Sequence, residues 1–250
     1  FYIAHGDPIV AARVMDLAKF RGYKKIFAFY DQDPCYIGIA ENMKAIGEKE
    51  GIQVHLSTET YHTADTDMTP QILKIKDQLP GYDALFIGTN GATGSVVMRN
   101  LKTQGIEMPI LAPHGWGFGF TLALGKEAVE GAELASGKAC VAYQLDDGDP
   151  QKAVIVDFDQ RMKARWDGMP AEQLSGHSYD ALWILYHAFK RAGNNPTREA
   201  LREAIEKTKD FVGVTGVYNY SPDDHEGLTK EALACMKIQN NQFQLIKLPE

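Results

Sequence analysis

The sequence predicts an α/β fold built on a parallel sheet. Four apolar, β-rich runs recur at nearly even intervals, at residues 24–30, 52–58, 82–88 and 108–113. The segments between these runs have helical periodicity, and each is long enough for one helix. Parallel strands require crossover connections of that length. The first half of the chain is therefore predicted to form a doubly wound parallel sheet.

Turn and capping residues give the ends of the predicted helices. Asp7 followed by Pro8 is typical of a helix start, and Gly22 is typical of the end of that helix. Thr69 with Pro70 predicts a second start, and Gly105 predicts the end of a later helix. The apolar face predicted for the first helix consists of Val10, Val14, Leu17 and Phe20.

The pattern changes after about Tyr143. Residues 144–151 are polar and rich in turn formers, which predicts a crossing or a linker. The chain then continues with three helical stretches near 151–166, 176–193 and 197–208, an extended run at 213–227, and a hairpin joined by Asn240–Asn241. A parallel α/β region followed by helices and then strands favours a protein with two lobes.

Composition excludes several classes of partner. The 250 residues include 33 acidic and 26 basic ones, and the net charge of −7 disfavours nucleic acid and anionic membrane surfaces. No apolar run is long enough to cross a bilayer, and no signal peptide is recognisable at Phe1. The three cysteines, Cys35, Cys140 and Cys235, are far apart and form no metal or redox motif.

Ligands of open parallel sheets bind at the carboxyl ends of the strands. Three segments fall there in this sequence, at residues 31–38, 88–94 and 112–120. The middle one, GTNGATG, matches neither the dinucleotide fingerprint nor the P-loop. It is either a tight turn or a ligand contact through Asn90. Tyr36 either packs on the sheet edge or faces a ligand.

No set of residues predicts catalysis, a cofactor or a metal ion. Cys35 has no identifiable base, and His114 has no triad partner. His114 is either a core or cleft histidine bonded to the backbone or a ligand contact. Trp116, Phe118 and Phe120 beside it are expected to be exposed, which favours the ligand contact. The loop at 31–38 lacks the glycine and glutamate of a calcium loop. The acidic turn at 223–226 is interpreted as a solvated loop.

Several segments, in this order, resemble the periplasmic branched-chain amino-acid-binding proteins, which are type I solute-binding proteins of ABC importers. The segments are FYIAHGDP, TDMTPQILKIKDQLPGYDALFIG, GHSYDALWILYHAFKRAG and FVGVTGVYNYSPDDHEGL. The resemblance implies two α/β lobes with the solute held in a cleft between them. It assigns residues 1–142 and 230–250 to the second lobe and 143–229 to part of the first.

The candidate ligand contacts are Tyr36, Asn90, Gly91, His114 and Trp116. Among them, Tyr36, Asn90 and His114 fall at the family's second-lobe contacts. This chain has His114 where amino-acid binders carry an acidic residue for the ligand ammonium, and Asn90 where they carry an aromatic residue. A neutral histidine cannot replace that carboxylate. We therefore expect an aromatic carboxylic acid or an amide rather than an ordinary branched-chain amino acid.

The resemblance also implies that the first lobe is incomplete, because the family carries about one domain's worth of chain ahead of Phe1. The helices of residues 151–208 should then leave Trp183, Leu185, Tyr186 and Phe189 uncovered. A homo-oligomer or a complementing fragment could cover them.

The expected function is that of a periplasmic, or extracellular and lipid-anchored, receptor. It would deliver a small amino-acid-like or carboxylate solute to an ABC permease, without catalysis. The alternative is a cytoplasmic ligand sensor of the same fold, such as an amide-responsive regulator.

Overall fold

A computed structural model describes residues 1–249. The chain divides into two compact units: one comprises Phe1–Gly6 and Gly137–Leu233, the other Asp7–Ser136 and the chain from Ala234 onward. We call them the helical unit and the sheet unit. The division differs from the expected lobe boundaries chiefly at Phe1–Gly6, which lies in the helical unit. The Tyr2 amide there donates to the His225 carbonyl at 2.7 Å.

The sheet unit is an α/β structure around a mostly parallel sheet, as predicted. Its strands are β1 (Lys25–Tyr30), β2 (Gln53–Leu56), β3 (Ala84–Gly88), β4 (Ile110–Ala112), β5 (Glu133–Gly137), β8 (Leu233–Gln239) and β9 (Gln242–Ile246). They form one seven-stranded sheet in the order β2-β1-β3-β4-β5-β8-β9. The β1–β2, β1–β3, β3–β4 and β4–β5 pairs are parallel, whereas β8 and β9 form an antiparallel hairpin. Both residues of its turn, Asn240 and Asn241, have positive φ.

Five helices accompany this sheet: α1 (Asp7–Phe20), α2 (Pro34–Glu50), α3 (Thr69–Ile75), α4 (Gly91–Thr103) and α5 (Gly119–Gly125). The starts at Asp7 and Thr69 are as predicted, and Gly22 and Gly105 have the positive φ of residues that follow helices. The predicted apolar face of α1 is buried except for Phe20, which is 43% exposed. Phe20 is the last residue of α1, and the Arg21 guanidinium lies 5.0 Å from its ring centroid.

The helical unit contains α6 (Lys152–Arg165), α7 (Gln173–Ala192) and α8 (Arg198–Glu206). These correspond to the three predicted helical stretches. Two short strands, β6 (Phe211–Val212) and β7 (Val217–Tyr218), pair antiparallel. Strand β7 lies within the run predicted to be extended, and β6 directly precedes that run. Among residues 1–249, none of the helices combines the length and hydropathy that a membrane span requires.

One face of α7 is apolar and uncovered. The exposed fractions of Trp183, Leu185, Tyr186 and Phe189 lie between 38% and 48%. The expected exposure of these four side chains is confirmed.

The buried carboxylate of Asp180 holds α7 against the β6–β7 turn. It accepts hydrogen bonds from the Val214 amide at 2.8 Å, the Thr215 amide at 2.8 Å and the Thr215 hydroxyl at 2.6 Å. A buried carboxylate is tolerated only when such donors replace its water. The turn and the helix are therefore fixed to each other through one side chain.

We expect Asp180→Asn to lower the free energy of unfolding by about 2–4 kcal/mol. The NH₂ group of the asparagine would face N–H and O–H donors at a position where a carboxylate oxygen now accepts from them. Asp157→Asn is the matched control. Asp157 forms an exposed ion pair with Arg161 on α6, and its loss should cost less than about 1 kcal/mol. Denaturant unfolding of both variants measures the difference. Equal losses would show that Asp180 does not brace the turn.

His177 of α7 gives the helical unit a pH dependence. Burial lowers the pKa of His177 to about 4, whereas a histidine in an unfolded chain titrates near 6.5. The folded state thus binds fewer protons than the unfolded state between these values. The free energy of unfolding should fall as the pH drops through this window, by up to roughly 1.4 kcal/mol per pH unit.

Replacing His177 with Gln should remove that contribution, so the stability difference between pH 7 and pH 4.5 should be smaller than in the unmodified protein. His62→Gln is the control, since His62 is exposed. Denaturation midpoints across this pH range test the prediction. An unchanged pH dependence in the His177 variant would contradict it.

Candidate functional site

The loops that follow β1, β3 and β4 meet at one edge of the sheet unit. Register pairs Tyr30 with Gly88, so the next residues, Asp31 and Thr89, are neighbours. The Asp31 amide donates to the Gly88 carbonyl at 2.9 Å. Strand β4 continues the sheet beside β3, which places the loop beginning at Pro113 at the same edge. This is the carboxyl edge at which open parallel sheets bind ligands.

Asp31 is the buried centre of this edge. Its side chain is fully buried and accepts from the Thr89 hydroxyl at 2.6 Å, the Thr63 hydroxyl at 3.0 Å and the Asp33 amide at 2.9 Å. The three donors come from three different segments. The carboxylate therefore fixes the loops after β1 and β3 relative to each other and to the segment before α3.

Asn90 caps α4. Its Oδ1 accepts from the Ala92 and Thr93 amides at 3.0 Å each, and its extended backbone (φ −73°, ψ 163°) is that of an N-cap residue. The cap leaves the side-chain NH₂ group of Asn90 for other partners. Asn90 therefore shapes the edge and also offers hydrogen-bond donors there.

Tyr36 lies in the first turn of α2. Asp33 caps this helix by accepting from the Cys35 amide at 2.9 Å, and Pro34 occupies the first helical position. Burial raises the pKa of Tyr36, so its hydroxyl stays protonated at neutral pH.

Gly115 brings Tyr36 and Asn90 together. A Cβ at position 115 would lie 2.6 Å from the Tyr36 hydroxyl oxygen and 3.3 Å from the Asn90 Cα. The Tyr36 hydroxyl and the Asn90 backbone thus lie against the His114–Trp116 turn, a short 3₁₀ helix that contains the third predicted contact, His114. His114 is half-buried, and its carbonyl accepts from the Ser136 hydroxyl at 2.9 Å.

The other two candidates, Gly91 and Trp116, lie behind this surface. Trp116 is fully buried, and a Cβ at Gly94 would lie 2.1 Å from its ring. A Cβ at Gly91 would lie 1.8 Å from the Thr121 hydroxyl oxygen. Gly91 therefore packs against Thr121 of α5, and the Trp116 ring packs against Gly94 of α4.

The aromatic side chains expected beside His114 are mostly buried. Phe118 is 8% exposed, and only Phe120, stacked on it at 5.2 Å, is open to solvent at 41%. The expectation of three exposed aromatic rings is wrong for Trp116 and Phe118. The Trp116 ring fills the core beneath the edge because Gly94 leaves space for it.

The electrostatics of the edge are unfavourable for a thiol nucleophile. Burial and the neighbouring Asp7 carboxylate raise the pKa of Cys35 to about 12. The reactive thiolate is therefore scarce at neutral pH. Asp7, the first residue of α1, also has a raised pKa, chiefly because of burial.

Two polar groups of the edge, the hydroxyls of Thr63 and Thr89, have no recognisable signal in the sequence. Thr63 lies in a segment without periodicity, and its partner Asp31 is 32 residues away. Thr89 precedes the glycine-rich turn but resembles any other strand-end residue. Asp31 belongs to the loop at 31–38, which the sequence analysis compares only with a calcium loop. Nothing in the local sequence indicates the hydrogen bonds around its side chain.

Three side chains of the acidic turn in the helical unit have separate partners. Glu226 accepts from the Gly6 amide at 2.7 Å, Asp224 from the Gly227 amide at 2.9 Å, and His225 pairs with Glu206 at 3.0 Å. Within residues 1–249, no group of three or more histidine, cysteine or acidic side chains is arranged to hold a metal ion.

The family model described as periplasmic binding protein matches residues 1–242. The chain belongs to the periplasmic binding protein family. Proteins of this family bind solutes and are not enzymes. The resemblance to this family that the order of segments in the sequence indicates is confirmed.

Solved structures with the same fold include an extracellular ligand-binding receptor from Rhodopseudomonas palustris HaA2 (TM-score 0.88, 22% identity, 98% of this chain and 69% of that one). A leucine-binding protein from Thermotoga maritima is similar at TM-score 0.79, with 23% identity over 96% of this chain and 65% of that one. A putative branched-chain amino acid ABC transporter protein from Rhodospirillum rubrum is similar at TM-score 0.73, with 24% identity over 96% and 65%. No curated protein matches the chain.

Replacing Gly115 with Ala should displace Tyr36 from the edge, because the added Cβ would overlap its hydroxyl oxygen. We expect a loss of about 1–3 kcal/mol in unfolding free energy, as for other overpacked sites. Gly81→Ala is the control, since position 81 is exposed and no atom lies within 4 Å of its added Cβ. Denaturant unfolding gives the energies. Equal stability of the two variants would mean that Tyr36 does not pack on Gly115.

Proposed function

We propose that this periplasmic binding protein is the extracytoplasmic receptor of an ABC importer and that it binds a small solute at the carboxyl edge of its sheet unit. The observation that carries the proposal is the convergence of Tyr36, Asn90 and the turn containing His114 on Gly115. Three separate segments supply these residues, and ligand sites at the carboxyl edge are typically built from several such segments.

The proposed solute is a small amino-acid-like or carboxylate compound. The names of the structural neighbours from Thermotoga maritima and Rhodospirillum rubrum support an amino-acid-like solute and an ABC importer. The name of the Rhodopseudomonas palustris receptor supports a location outside the cytoplasm. We propose the ligand contacts Tyr36, Asn90 and His114, with Gly91 and Trp116 supporting them from behind.

We also propose that the protein catalyses no reaction. The Cys35 thiol has a pKa raised to about 12, and burial keeps the Tyr36 hydroxyl protonated. Neither group is an activated nucleophile or a base at neutral pH. Binding and release of an unchanged solute require neither.

A thermal-unfolding screen against amino acids, carboxylic acids and amides at millimolar concentration tests the function. A solute that binds only the folded state raises the melting temperature. We expect at least one class to do so, and Tyr36→Phe to weaken its binding about 3–10-fold, the effect of one lost hydrogen bond.

Tyr23→Phe is the matched control. Tyr23 precedes β1 and therefore lies at the opposite, amino end of the same strand. Its variant should bind the solute as tightly as the unmodified protein. A screen without any stabilising solute would contradict the function. Equal effects of the two tyrosine variants would contradict the site.

A further inference from the structure

The Asn90 amide can act toward a ligand only as a donor. Its Oδ1 already accepts two backbone N–H groups, from Ala92 and Thr93. An amide oxygen has two lone pairs, so both are in use. A flipped amide would set its NH₂ group against the same two donors, which settles the orientation. The two N–H groups on Nδ2 therefore remain as donors to a ligand.

The carboxylate at the centre of the edge is not available to a ligand. Asp31 is fully buried, and its two oxygens accept three hydrogen bonds from Asp33, Thr63 and Thr89. Asp33 uses Oδ1 to cap α2 and is exposed, so water screens its charge. Neither carboxylate is a buried, unengaged acceptor of the kind that pairs with an ammonium group.

The donors that Asn90 and Tyr36 contribute to the edge are neutral. The loops at residues 31–38, 89–94 and 113–118 contain no Lys or Arg. The Tyr36 hydroxyl, which lies beside Gly115 and the Asn90 backbone, remains protonated because burial raises its pKa. The amide of Asn90 and the hydroxyl of Tyr36 therefore present uncharged O–H and N–H groups from neighbouring positions.

We propose that Asn90 determines the polarity of the solute group bound at this edge: the sheet unit takes a hydrogen-bond acceptor, a carboxylate or an amide carbonyl, and not an ammonium group. The inference rests on the proposed function and specifies its ligand class. The positive end of the α4 dipole, directly beneath Asn90, favours the same polarity.

Asn90→Asp tests this, because it changes the polarity and keeps the cap. Aspartate caps helices as well as asparagine does, so its carboxylate can accept from the Ala92 and Thr93 amides with the helix intact. The second carboxylate oxygen then replaces the NH₂ group. A donor becomes a charged acceptor with almost no change in side-chain shape.

Two sets of probes match in carbon skeleton and differ in polar group. One is 4-methylpentanoate, 4-methylpentanamide and 4-methylpentylammonium. The other is benzoate, benzamide and benzylammonium. Chemical-shift titration of the ¹⁵N-labelled protein at pH 7 detects weak binding of each. In the unmodified protein we expect the carboxylate and the amide to bind about tenfold or more tighter than the ammonium compound. In Asn90→Asp we expect the order to reverse.

Gln32→Glu is the matched control for charge. Gln32 is exposed in the loop after β1 and donates to the Thr60 hydroxyl at 2.9 Å. A glutamate there adds the same charge at the same edge without touching the cap, and the order of the probes should not change. If Asn90→Asp does not fold, Asn90→Ser keeps a capping oxygen on a shorter side chain. This variant should lose the preference for carboxylate and amide.

The outcomes are distinct. Binding of no probe to the unmodified protein would overturn this inference, and the proposed function would fall only if the solute screen also found no ligand. Solute binding with a preference for ammonium compounds would leave the receptor function standing and overturn the inference. The inference would also be overturned, and the receptor function left standing, if Asn90→Asp, or Asn90→Ser in its place, kept the probe order of the unmodified protein.

Discussion

The carboxyl edge of the sheet unit depends on one buried carboxylate, that of Asp31. Burying a charge without partners costs several kcal/mol, so the chain must supply donors to it. They come from the Asp33 amide and from the hydroxyls of Thr63 and Thr89. The requirement to satisfy Asp31 therefore fixes the loops in which Asp33 caps α2 and Asn90 caps α4. Tyr36 and Asn90 take their positions from these caps.

The helical unit also contains a buried carboxylate that gathers hydrogen-bond donors, but the groups around it do not form a cluster at the surface. Asp180 gathers the Val214 amide and the Thr215 amide and hydroxyl, and the Thr215 hydroxyl lies 2.7 Å from that of Tyr218. Tyr218 in turn donates to the Ile3 carbonyl at 2.9 Å. Here the carboxylate joins a helix, a turn and the first residues of the chain. The groups it gathers are buried, so the network stabilises the unit and leaves no donor at its surface.

The sequence predicted those features that depend on local pattern. Strands β1, β3 and β4 are largely apolar runs, and helix starts such as Asp7–Pro8 are signalled by neighbouring residues. Strand β5 was not predicted, because Glu133 and Ser136 interrupt its hydropathy. Glu133 is nevertheless buried, since Arg21 binds both of its oxygens, at 2.6 and 2.9 Å. The burial of Trp116 was missed for a similar reason, because the space it fills is left by Gly94, a residue of another element. Contacts distant in sequence carry no local signal.

Asn90 shows how a requirement of folding limits the choice of ligand. The first turn of α4 leaves backbone N–H groups without partners, and some acceptor must satisfy them. Once the Asn90 oxygen does so, the remaining half of the side chain can only donate. An aspartate would cap α4 equally well but would present an acceptor. Stability of the helix therefore does not distinguish the two residues, whereas the polarity of the edge does. Either residue at position 90 is compatible with α4, so the polarity of the solute can determine which of the two is present.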